Sequence, residues 1–100
     1  MVIVDFSVVP VGTGSTSVSK YVALACREVE KSGLRNLITP MGTVIEAESI
    51  DKAFEVIKRA HEAVIKGGAA RVVTTIKVDD RRDKERRMED KVEAVKVKKA

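Results

Sequence analysis

Apolar and polar positions alternate with period two through the opening residues. Val4, Phe6 and Val8 share one side of an extended chain, and Ile3, Asp5, Ser7 and Val9 share the other. The run Val2–Val9 is rich in β-branched residues and stops at Pro10, which predicts a first strand. The period then changes. Val18, Val22, Ala25 and Val29 recur at spacings of four, three and four, which predicts a helix over Ser17–Ser32. Thr16 or Ser17 would cap its start with a hydroxyl. Gly33 would end it, with Leu34 supplying the hydrophobic contact beyond. Leu37–Thr39 and Thr43–Ala47 are short strands joined tightly through Pro40-Met41-Gly42. Ala53, Ile57, Ala60 and Val64, widened by Phe54 and Ile65, predict a second helix over Asp51–Lys66, stopped by Gly67-Gly68. Arg71–Val78 is the fourth strand. Met88, Val92 and Val95 form a narrow stripe for a third helix laid along the domain, with Lys96–Ala100 frayed.

This order is that of an α+β, ferredoxin-like β-α-β-β-α-β sandwich with an extra C-terminal helix. Two helices cover one face of an antiparallel four-stranded sheet, and the first strand is central, between the third and fourth. One domain over residues 1–100 is expected, because 100 residues leave little room for a second core.

The face away from the helices carries the unusual chemistry. In the first strand that face holds Asp5 and Ser7. In the third, Ile45 and Ala47 suit the core and leave Val44, Glu46 and Glu48 outside. In the fourth, Val72, Ile76 and Val78 suit the core and leave Val73, Thr75 and Lys77. Apolar residues (Ile3, Val9, Val44, Val73) thus surround Asp5, Ser7, Glu46, Thr75 and Lys77. A contiguous apolar patch is seldom left bare on a soluble monomer, so a second copy of the chain is expected to cover this face. A carboxylate trapped beneath needs a partner. Lys77 could pair with one of Asp5 and Glu46, leaving the other to meet a cation or an amino group of a ligand.

Charge and composition narrow the function. The net charge is +4, but residues 79–100 carry nine basic and seven acidic side chains and residues 1–78 carry ten and eight. Such mixing suits solvated helix faces and local ion pairs, the reading given to "DDRRDKERRMED", rather than a basic nucleic-acid surface. RNA binding through the sheet would also need exposed aromatics. Phe6, the one aromatic of the first strand, faces the helices. Nucleic acid is therefore not an expected partner. Cys26 is the only cysteine and His61 the only histidine, which excludes a Cys/His zinc site within one chain. Cys26 reads as a buried, inert thiol and His61 as a hydrogen-bonded residue at the margin of the second helix. No cofactor is expected. No basic start precedes an apolar leader, and no stretch is long enough to span a bilayer, so a cytoplasmic setting with no membrane contact is the expectation.

Gly12-Thr13-Gly14-Ser15-Thr16-Ser17 lies between a strand and a helix, where phosphate cradles occur. No Lys stands at the Walker position, and Ser17 occupies the third glycine of a dinucleotide fingerprint. The glycines read as a tight reversal. Asp5 and Glu46 could serve as an acid/base pair, yet no triad, metal cluster or phosphate loop accompanies them, so no enzyme is expected.

The segments "VDFSVVPVGTGSTSVSKYVA", "LITPMGTVIEAE", "AHEAV" and "RVVTTIKVDDRRDK" together resemble the thiamine-binding protein family, over residues 2 to 92. The resemblance implies a homo-oligomer, a tetramer built from dimers with paired sheets. It also implies binding of thiamine or its hydroxymethylpyrimidine half without a reaction. Thiamine carries a cationic thiazolium ring and an aminopyrimidine. A carboxylate of the free face could accept the amino hydrogens and offset the charge, and hydroxyls such as Ser7, Thr39 and Thr75 could satisfy the ring. The candidate ligand residues are accordingly Asp5, Ser7, Thr39, Glu46, Thr75 and Lys77. A ferredoxin-like regulatory module that binds another small metabolite is the alternative.

Overall fold

Burial alternates strictly along the first strand, with Val2, Val4, Phe6 and Val8 sealed and Asp5 and Val9 exposed between them. The computed structural model describes all 100 residues. In chain order the elements are β1 (Val2–Pro10), α1 (Ser19–Ser32), β2 (Asn36–Thr39), β3 (Gly42–Ala47), α2 (Ile50–Lys66), β4 (Val72–Asp80) and α3 (Met88–Lys99). The strands form one antiparallel sheet in the order β2-β3-β1-β4, so β1 is central and β4 an edge. This is the ferredoxin-like α+β arrangement that the period changes predict.

The core lies between the sheet and the paired helices α1 and α2. Helix α2 contributes Ala53, Val56, Ile57, Ala60 and Val64. Its alanines Ala53 and Ala60 are fully buried in the same core as Val4 and Ile45. Each fully buried Val or Ile contributes roughly 1.5–3 kcal/mol relative to exposure. The Ser49 hydroxyl accepts from the Lys52 N–H at 3.1 Å and starts the helix. Gly33 closes α1 with φ 75°, the left-handed conformation that favours glycine.

Several expectations change on contact with the fold. The charged and apolar ends of elements shift by one or two residues, as frayed ends do. Helix α1 starts at Ser19 with Val18 at the N-cap, which has no side-chain acceptor, so the expected cappers Ser17 and Thr16 lie one and two residues too early. Phe54 lies about 100° around α2 from Ala53, at 100° per residue, and is 46 % exposed, while Val56 takes its place in the core. Ile76 and Val78 face the helices as predicted by parity, yet remain 41 % and 37 % exposed. They sit on the edge strand. Helix α3 runs on through Lys99 rather than fraying at Lys96, and it buries no residue: Val92 and Val95 stay exposed. Its basic last turn, Lys96, Lys98 and Lys99, suits the negative end of a helix.

Candidate functional site

The strand register arranges the free face in three cross-strand rows. Asp79, Ile3 and Glu46 form the first. Lys77, Asp5, Val44 and Leu37 form the second, and Thr75 and Ser7 the third. Thr39 shares this face at the end of β2, opposite Gly42. The six sequence candidates therefore do lie on one face, away from α1 and α2. What differs is how they are used.

Helix α3 belongs to the first row. Glu46 is buried to 1 % exposure, and the seal comes from its own chain. Its carboxylate accepts the Met88 backbone N–H at 2.6 Å, at the N-terminus of α3, and a hydrogen bond from Arg87 at 3.4 Å; Arg35 lies 3.7 Å away. An anion there meets the free N–H groups and positive end of the helix. Arg35 is placed by β2–β3 pairing, since the Glu46 N–H donates to the Arg35 carbonyl at 3.0 Å, and it also pairs with Glu89. Asp79 pairs with Lys91 one turn further along. Asp90 completes the start of α3 by accepting the Arg87 backbone N–H at 2.9 Å. The expected Lys77 pairing is thus corrected: Glu46 takes Arg35, Arg87 and a helix N-terminus, and Lys77 joins neither acid. The clamp residues Arg35 and Arg87 carried no signal in the sequence pattern, and Met88 signalled only the apolar stripe of the helix, not its backbone N–H contact.

The second row stays open. A groove of about 560 Å³ runs between α3 and the sheet, floored by Ile3, Leu37 and Val44 and walled by Met88, Val92 and Lys96. Its size falls in the range of small-molecule sites, roughly 300–1,000 Å³. Asp5, next to Val44 in the ladder, is exposed and makes no ion pair or hydrogen bond with the protein. Its Oδ1 lies over Gly42, where an added Cβ would come within 3.2 Å of it and 2.7 Å of the Phe6 carbonyl oxygen. The missing side chain at Gly42 therefore makes room for the carboxylate. The Thr39 hydroxyl is committed to the hairpin: it donates to the Gly42 carbonyl at 2.9 Å and accepts from the Met41 and Gly42 N–H groups.

The other singled-out residues resolve locally. Gly12 and Gly14 take φ 77° and 78°, and the Thr13 and Ser15 hydroxyls bond within the same turn. That loop reverses the chain, with the Thr13 and Ser15 hydroxyls occupied within it. Cys26 is half-buried rather than buried, 4.0 Å from the Thr43 hydroxyl, beside a cavity of about 200 Å³ under α1. His61 bonds through Nδ1 to the Thr74 hydroxyl at 2.6 Å, tying the flank of α2 to β4. No three His, Cys, Asp or Glu side chains converge as metal ligands, and no helix is long and apolar enough to cross a membrane.

These features define a class: a ferredoxin-like α+β protein whose free sheet face carries a groove, an unpaired carboxylate and a helix clamped at one end. Residues 4–96 match the profile of the thiamine-binding protein family, and the chain belongs to that family. It is 50% identical over 98 residues to a UPF0045 protein of Methanothermobacter thermautotrophicus, covering 98% of this chain and 99% of the relative. A Bacillus subtilis UPF0045 protein, YqgV, is 42% identical over 99 residues, covering 95% and 94%. The crystal structure of a hypothetical Methanocaldococcus jannaschii protein superposes with TM-score 0.87 at 38% identity, over 95% of both chains. A Thermotoga maritima protein, provisionally assigned to thiamine biosynthesis or salvage, shares the fold with TM-score 0.79 at 20% identity, over 94% and 97%.

Proposed function

We propose that this protein binds thiamine, or its hydroxymethylpyrimidine half, on the free sheet face without catalysing a reaction. The observation that carries the proposal is the unpaired Asp5 carboxylate on the central strand, beside a groove with an apolar floor, in a chain of the thiamine-binding protein family. Asp5 accepts the exocyclic amine of the pyrimidine and offsets the thiazolium charge. Ser7 and Thr75, facing each other one row on, supply hydroxyls to the ring nitrogens. Lys77 flanks the site as its cationic border. Val44, Ile3 and Leu37 cover the ring faces. Glu46 and Thr39 shape the two ends through the α3 clamp and the hairpin. A second copy of the chain, seated on the same face, closes the site and covers the exposed apolar side chains Val73, Leu37 and Val92.

The test is calorimetry and thermal melting with thiamine, hydroxymethylpyrimidine, the thiazole alcohol and thiamine phosphates. A ligand at a hundred times its Kd should add about 2.7 kcal/mol of stability. Asp5→Asn keeps the shape and removes the charge. It should weaken binding by about 1.5–3 kcal/mol, the worth of a hydrogen bond to a charged group. Failure of all four compounds to raise the melting temperature would refute the assignment.

A further inference from the structure

The basic side chains of the 79–91 segment are nearly all accounted for by neighbours. Arg81 pairs with Asp83, Arg82 with Asp80, Arg87 with Glu46 and Lys91 with Asp79. Lys84 is exposed. Arg86 is the exception. It is half-buried, it makes no ion pair or hydrogen bond, and its Nε is shielded from solvent without a partner. A buried donor left without an acceptor is costly, and native proteins seldom keep one without a reason.

Arg86 lines a cleft of about 70 Å³ together with Met1, whose terminal ammonium is held by Glu85, and Ile3, Asp79, Arg81 and Lys91. Three cationic side chains and one carboxylate face that space, and the carboxylate is already held by Lys91. The cleft has room for a tetrahedral anion and none for a ring. Ile3 and Lys91 also line the larger groove, so the two spaces adjoin.

We propose that the Arg86 cleft is an anion site that takes a phosphate group, and that it holds the phosphorylated end of a small ligand whose ring occupies the adjoining groove. The planar guanidinium presents two parallel N–H groups to one phosphate, a geometry that an ammonium cannot reproduce. Arg81 and Lys91 also line the cleft, each already paired with an aspartate, and add positive potential around the anion. The anion site stands on Arg86 alone. Its link to a phosphorylated ligand rests on the thiamine reading, in which the pyrimidine sits by Asp5.

The experiment separates the two. Arginine Nε–H signals of uniformly ¹⁵N-labelled protein are followed during titration with inorganic phosphate, against sodium chloride at matched ionic strength. The Arg86 signal should shift saturably with phosphate and not with chloride; no response to phosphate would overturn the site. Calorimetry then compares thiamine with thiamine monophosphate. The monophosphate should bind at least about tenfold more tightly, the size of one hydrogen bond to a charged group. Arg86→Gln should abolish that preference and leave thiamine affinity unchanged, and Arg86→Lys should retain part of it. An equal preference in Arg86→Gln would overturn the link. If neither vitamin form binds while phosphate still shifts Arg86, the thiamine reading fails and the anion site is upheld. Tighter binding of a single-stranded oligoribonucleotide than of any small phosphate, with Arg86 shifted, would overturn the small-ligand assignment.

Discussion

Replacing Glu46 tests how α3 is held. The side chain is buried, but its cationic partners are not: Arg35 and Arg87 are 49 % and 51 % exposed. Removing one member of a fully buried ion pair costs about 3–5 kcal/mol, because it strands a charge in the interior. Here both guanidiniums regain water, so that figure is an upper bound. Glu46→Gln keeps an oxygen to accept the Met88 N–H and loses the charge on that bond. A hydrogen bond to a charged group contributes about 1.5–3 kcal/mol, and a carboxylate at a helix N-terminus about 0.3–1 kcal/mol. The neutral amide is also cheaper to bury, which offsets part of the loss. The net expectation is about 2 kcal/mol. At about 4–8 °C per kcal/mol for a domain of this size, the melting temperature should fall by about 8–16 °C. Melting followed by circular dichroism at fixed protein concentration measures it. Amide hydrogen exchange locates it: the first turn of α3, from Met88, should lose protection before β1 and β3 do. A melting temperature within about 1 °C of the parent, with α3 protection unchanged, would show that the clamp does not hold the helix.

Three further outcomes are expected. Gly42→Ala brings a Cβ to 2.7 Å from the Phe6 carbonyl oxygen, backbone that cannot swing aside; overpacking of this kind costs about 1–3 kcal/mol in denaturant unfolding, and an unchanged midpoint would refute the close approach. Ile45→Ala, at 0 % exposure, should cost about 2–5 kcal/mol, and Ile76→Ala, at 41 % exposure, clearly less; equal costs would mean that the β4 edge is covered. The Arg82 hydrogen bond holds the Asp80 carboxyl below the usual 3.8, and the Arg81 hydrogen bond does the same for Asp83. Because both are depressed in the folded state, their small stabilising effect is present above the unfolded value and is lost as pH falls through the folded ones. Carboxyl ¹³C titration should give midpoints below 3.8, with Asp80 returning toward 3.8 in Arg82→Gln.

How far the sequence revealed the site depends on which residues carry the information. Asp5 and Ser7 were legible because β1 is central and sealed on one side, so a slip of one residue would bury both polar groups. The register bears this parity out across three strands, placing Asp5 opposite Lys77 and Ser7 opposite Thr75. Parity says which way Glu46 points, but not what lies over it. Its partners stand 41 and 42 residues further along the chain, at Arg87 and Met88, and no period links positions so distant. The apolar spacing of Met88, Val92 and Val95 suggested a helix held by its stripe. The helix is instead held by charge at its first turn, and the stripe borders a groove. The same limit explains Ile76 and Val78: their spacing marks the correct side of β4, while their exposure follows from β4 lying at the edge of the sheet. For Phe54 the spacing marks the wrong side of α2; Val56 fills the core instead. Arg86 is the sharpest instance. In "DDRRDKERRMED" it is one of five bases among six acids, and only the folded chain shows that its Nε is shielded from solvent with no acceptor. Alternation along a chain thus fixes direction, and long-range pairing decides which groups are left free. Two of the groups left free, Asp5 and Arg86, are the ones on which the two proposals rest.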